Sequence, residues 1–210
     1  EQSGFIRKMG ATFIWGNENQ TWDMLFGDMA RIEHVDTGHG DVQTTWSWHV
    51  ERARYDDVLL RHAASLGATV REGVGVQALL RDDNGRVHGV ETDTGQTLTA
   101  RWVIDSTGQS GLAGSISDRE MDPILQNVAY GTYWKGAQLF EEWNGNLSAS
   151  RAFIVAHPHG WCWVFPVQED LVSVGFVTSL QSHRERQGKS PEDSVLQAIK
   201  QSPYLSKILS

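Results

Sequence analysis

The sequence predicts a mixed α/β (α+β) protein whose sheets are largely antiparallel. Three observations predict it. Short aromatic and β-branched runs, separated by turn-prone residues, occur near both ends of the chain. A single strongly periodic helix pattern follows the first group, and two turn signals then divide the middle into a small β-meander. With 40% hydrophobic and 21% charged residues in 210, the chain is globular and long enough to bury a core.

Ala11 to Gly16 and Trp22 to Gly27 are the first strand candidates, and their aromatic content suits an antiparallel pair. The helix is next: Tyr55, Val58, Leu59, His62, Ala63 and Leu66 recur at helical spacing, Asp56 and Asp57 complement the positive end, and Gly67 suits the stop. One face of it should pack on a sheet. Val70 to Leu80 reads as a strand-pair region, Asp83-Asn84-Gly85 as a turn into Arg86 to Glu91, and Thr94-Gly95 as a turn into a strand over Leu98 to Ser106. That strand runs into a Gly-rich loop, Ser106 to Gly111. Asn127 to Lys135, Arg151 to Ala156, Trp161 to Val167 and Leu171 to Thr178 predict a second antiparallel sheet. A last helix is announced by Ser190 as N-cap, Pro191 at its first position and Asp193 in the capping-box position, and should end before Pro203.

The formal net charge of -8, without basic blocks, would repel a phosphate backbone and argues against nucleic acid as a partner. The single cysteine, Cys162, permits no internal disulfide and no cysteine-based zinc site, so no metal is expected. No apolar run approaches the length of a membrane span and no leader pattern opens the chain, so a cytoplasmic location is expected. The chain begins at Glu1 and enters aromatic sequence almost at once, from which a preceding segment is expected.

Three local features carry chemistry. Arg52, just before the long helix, could bind a phosphate or ribose with help from the helix dipole, although taken alone such an arginine is more often a solvated surface residue. Val103 to Gly108 sets small residues where a backbone must approach a bulky ligand, or makes an ordinary βα turn. In Gly160 to Pro166 the strand period of two sets Trp161 and Trp163 on one face, with Cys162 and Val164 on the other. Two indoles on one side must cover something apolar, either a ligand or a packed core.

Taken in order, these segments resemble the flavin-dependent halogenases, within the wider FAD monooxygenase-like and geranylgeranyl-reductase-like enzymes. Phe5 to Gly16 is similar to the segment following the family's N-terminal flavin motif. Arg52 to Asp56 with Leu59-Leu60 and Gly67 to Val70 resembles its Arg-containing helix, and Val103 to Gly108 its loop beside the FAD. Trp161 to Pro166 resembles the tryptophan-x-tryptophan-x-isoleucine-proline signature, departing from it at Phe165.

The resemblance implies that the chain is an internal fragment. Residues 50–112 would form part of an FAD-binding doubly wound domain, and residues 5–49 and 126–180 a substrate-side antiparallel sheet. It implies an oxidoreductase in which reduced FAD and oxygen give a flavin hydroperoxide, halide attacks it, and the resulting hypohalous acid reaches a lysine beside an electron-rich aromatic substrate. Trp161 and Trp163 would separate flavin from substrate. Arg52, Asp105 and Gly108 would bind FAD, and Trp15, Phe165 and Pro166 would lie on the substrate side. The implied partners are a small aromatic substrate, free or carrier-tethered, a halide, and a flavin reductase. The catalytic lysine is expected upstream of this chain, with Lys8 a surface residue. The Gly-x-Gly-x-x-Gly fingerprint is missing, since Glu72 to Val76 has too few glycines, so the isolated chain is expected to be inactive. A hydroxylase or reductase of the same fold, or a non-catalytic binding protein derived from it, are the alternatives.

Overall fold

A computed structural model describes residues 4–15, 20–29, 46–108, 111–112, 122–137, 151–185 and 190–209. In chain order its elements are β1 (Ile6–Lys8), β2 (Gly10–Trp15), β3 (Gln20–Leu25), α1 (Phe26–Met29), β4 (Ser47–His49), α2 (Arg52–Ser65), β5 (Val76–Arg81), β6 (Val87–Thr92) and β7 (Thr97–Thr99). They continue with β8 (Asn127–Lys135), β9 (Arg151–His157), β10 (Gly160–Gln168), β11 (Leu171–Ser179), α3 (Leu180–Glu185), α4 (Pro191–Gln201) and α5 (Pro203–Ile208). The fold class is mixed α/β. The chain divides into two compact units, Glu1–Tyr55 with Ile124–Ser210, and Asp56–Pro123.

The first unit is built on a six-stranded sheet in the order β3-β2-β9-β10-β11-β8. Its pairings are antiparallel except β2 against β9, which run parallel across about 140 residues of sequence. A small ionic cluster ties the three strands at that end: Asp23 accepts from the Thr12 hydroxyl at 2.6 Å and pairs with Arg151 at 2.8 Å. One sheet face carries Phe153, Val155, Cys162, Val164, Val172, Val174 and Phe176, all nearly inaccessible. Against them pack Val195, Ala198 and Ile199 of α4 and Leu205 and Ile208 of α5.

Helix α4 starts where the sequence predicts. The Ser190 hydroxyl accepts from the Asp193 N–H at 3.0 Å, and the Asp193 carboxylate accepts from the Ser190 N–H at 3.2 Å, so two otherwise orphaned donors are satisfied. It ends at Ser202, which then caps α5 by accepting from the Leu205 N–H. Helices α3 and α5 and the two-stranded β1-β4 sheet were not expected.

The second unit holds the meander β5-β6-β7. Its first turn is fixed by Asp82, whose carboxylate accepts from the Asn84 and Arg86 N–H groups while Gly85 takes φ +78°. Two expectations fail here. Residues 70–75 form turns and irregular backbone, so β5 begins only at Val76. The strand over Leu98 to Ser106 shrinks to Thr97–Thr99; Trp102 and Ile104 are 85% and 88% exposed, because no strand among the described residues lies beside them to complete a ladder.

Helix α2 forms as predicted and stops at Gly67, φ +101°, with the Ala68 N–H donating to the Ala63 carbonyl. None of its residues is buried, so the expected packing of Val58 and Leu59 on a sheet is not found among the described residues. Of those residues, no helix is long and apolar enough to cross a membrane.

Candidate active site

Strand β10 alternates as its sequence predicts. Cys162, Val164 and Pro166 are buried on the core face, whereas Trp161, Trp163 and Phe165 are partly exposed on the other. Ring centroids of Trp161 and Trp163 lie 6.1 Å apart, and those of Trp163 and Phe165 6.3 Å apart. The three rings therefore form one wall along the strand. Pro166 does not join it: it pairs in register with buried Val172 and is fixed in the core.

Cross-strand register extends the wall sideways. Trp163 stands opposite Ile154 of β9, Ile154 opposite Phe13 of β2, and Phe13 opposite Trp22 of β3, on which it stacks at 4.1 Å and 6°. Trp15 shares the face of Phe13 by strand alternation and is 46% exposed. An aromatic stripe left this open on a sheet is the signature of a surface that meets another apolar body. The Trp163 indole N–H donates to the Ser173 hydroxyl at 3.2 Å, which fixes the edge of that ring.

Lys8 is not the surface residue the sequence reading expects. It is half-buried, with its ammonium 5.6 Å from the centre of the Phe165 ring and 5.8 Å from that of Phe26. Burial lowers its pKa, since a desolvated ammonium favours release of its proton. The short β1-β4 pairing sets it there, and the same pairing brings buried His49 to 6.3 Å from Phe165. Sequence inspection misses this arrangement because β1 and β4 are three residues each.

The residues assigned to the flavin fall in both units. Arg52 opens α2 in the first unit, exposed at the helix start. Asp105 and Gly108 lie in the second, where the Asp105 carboxylate accepts from the Thr107 N–H at 2.9 Å and from its hydroxyl at 2.6 Å. That carboxylate shapes the turn, and Thr107 extends it by accepting from the Leu112 N–H. Gly108 takes φ +65°, and a Cβ there would meet nothing within 4 Å. The turn thus presents open backbone, which fits the close approach of a flat cofactor. Gln109 and Ser110 of the predicted loop lie outside the described residues.

Residues 28–202 match the tryptophan halogenase family. The chain belongs to that family. Among its relatives, the tryptophan 2-halogenase of Chondromyces crocatus is 28% identical over all of this chain and 38% of its own length. The 1H-pyrrole-2-carbonyl-[peptidyl-carrier protein] chlorinase of Pseudomonas fluorescens is 27% identical over 87% of this chain and 43% of its own. The chain therefore spans about two fifths of the relatives it matches. Among solved structures, the myxobacterial chondrochloren halogenase CndH, a variant of the FAD-dependent halogenases, superposes with a TM-score of 0.82 at 28% identity, covering all of this chain and 45% of that one. The fold class and the family resemblance read from the sequence hold.

Proposed function

We propose that this chain is part of an FAD-dependent halogenase acting on an electron-rich aromatic substrate, free or carrier-tethered, with halide and a flavin reductase as partners. One observation carries the reading: Trp161, Trp163 and Phe165 form a continuous face with the Lys8 ammonium against its end. FAD would supply the activation of oxygen. In the second unit Gly108 would offer it open backbone, with Asp105 keeping that turn in shape; in the first, Arg52 is the candidate for its charged groups. Trp161 and Trp163 partition flavin from substrate, so that the substrate meets only the oxidised halogen. Trp15 and Phe165 would lie on the substrate side, and Pro166 anchors the strand of Phe165 from behind.

The lysine beside the substrate is better assigned to Lys8 than to an upstream residue. Its lowered pKa leaves more free amine at neutral pH than an exposed lysine has, and Phe165 keeps it out of bulk water. The names of the relatives, which include tryptophan and a carrier-bound pyrrole, support an electron-rich ring as substrate.

The test uses the full-length enzyme with reduced FAD, oxygen, chloride or bromide, and a panel of phenols, indoles and pyrroles. Halogenated product is expected, reduced in Trp163→Phe and abolished in Lys8→Met. Hydroxylation of the panel without halide incorporation, FAD being bound, would reject the halogenase reading in favour of a hydroxylase.

A further inference from the structure

The cross-strand row through Trp163 ends on two glycines. Trp163 of β10 is in register with Gly175 of β11, and Gly175 with Gly131 of β8. Both glycines occupy the aromatic face by alternation, yet Gly175 is buried, because the indole lies on it. A Cβ at Gly175 would stand 2.0 Å from Cζ2 and 2.1 Å from Cη2 of Trp163, and one at Gly131 would stand 3.0 Å from Cζ2. Neither glycine has a positive φ, so backbone conformation does not require it. What requires glycine is the ring above. The indole is held at a third point, where its N–H donates to the Ser173 hydroxyl two residues along β11.

We infer that Gly131, Gly175 and Ser173 form a seat that lays the Trp163 indole flat across the sheet, making them positioning residues for the aromatic face. The importance of that orientation rests on the proposed partition; the seat itself does not. An indole standing off the sheet would occupy the space beside Phe165, on the side where an aromatic substrate is proposed to bind. Seated, it adds breadth to the wall and leaves that space open. A methyl at position 175 cannot coexist with the observed ring, whose two rotatable bonds allow only a swing away from β11. A methyl at position 131 requires a shift of a few tenths of an ångström.

The seat is tested on the chain labelled with 5-fluorotryptophan, whose nine tryptophans give nine fluorine resonances. The Trp163 resonance is the one lost in Trp163→Phe. It should move furthest in Gly175→Ala and less in Gly131→Ala, while that of Trp22 at the far end of the row stays in place. Ser173→Ala should also move it and speed exchange of the Trp163 indole N–H by about 2- to 10-fold, the loss of one hydrogen bond. Ser173→Thr, which restores a hydroxyl, should return both toward their original values. A Trp163 resonance unmoved in Gly175→Ala overturns the seat. Should that variant fail to fold, an unmoved resonance in both Gly131→Ala and Ser173→Ala overturns it equally. A full-length enzyme that hydroxylates without halogenating would sink the proposed function and leave these shifts unchanged.

Discussion

The single cysteine offers a direct measurement of which way β10 faces. Cys162 sits between Trp161 and Trp163 and is 1% exposed on the core side, and burial pushes its thiol from an ordinary 9.0 up to about 12. A thiol of pKa 9.0 is about one-tenth ionised at pH 8, whereas one of pKa about 12 is ionised in roughly one molecule in ten thousand. Since only the thiolate attacks an alkylating agent, iodoacetamide at pH 8 should label the folded chain at least about a thousandfold more slowly than the guanidinium-unfolded chain. Steric cover under α4 and α5 slows it further. Because a one-residue slip would send Trp161 and Trp163 into the core and bring Cys162 out, labelling within about tenfold of the unfolded rate would refute the aromatic face, and the proposed site with it. The same shift sets a pH dependence. The stability linked to the protonated thiol is fully present below about pH 9 and is lost as pH rises toward 12, because the unfolded chain releases its proton first; the slope is about 1.4 kcal/mol per pH unit.

Phe176 is fully buried, edge-on to His157 at 4.9 Å, and Phe176→Ala should cost about 3 to 5 kcal/mol in urea unfolding; a loss below about 1 kcal/mol would show that α4 and α5 do not cover this sheet. Ser190→Ala removes the cap of α4 and should cost about 1 kcal/mol, with Ser190→Thr, which keeps the hydroxyl, closer to neutral, and an unchanged stability in Ser190→Ala would mean that the hydroxyl contact does not matter. In the full-length enzyme, Arg52→Ala should weaken FAD binding by about 1 to 3 kcal/mol measured by calorimetric titration, the range for a hydrogen bond to a charged partner. Unchanged affinity would return Arg52 to the solvated surface.

Much of this protein was legible one strand at a time. Turn chemistry at Asp82 to Gly85, the box of Ser190 and Asp193, and the alternation of β10 are local devices, so residues within a few positions of one another decide them. That is why Trp161 and Trp163 could be assigned to one face from sequence, and why the family resemblance concentrated there. Isolated apolar runs such as Leu98 to Ser106 misled, because a strand exists only where a neighbour accepts its hydrogen bonds. The seat under Trp163 lay beyond sequence for a related reason. Counting back from the turn at Glu169-Asp170, where Gln168 faces Leu171, pairs Trp163 with Phe176. A bulge between Pro166 and Gln168 shifts the ladder by one, so that Pro166 faces Val172 and Trp163 faces Gly175. The parallel joining of β2 to β9, which brings Phe13 and Trp22 into the same row, is likewise a contact between distant segments. Sequence determined which side chains each strand offers to each face; tertiary pairing decided which of them meet, because register is set by packing and bulges that no local pattern encodes.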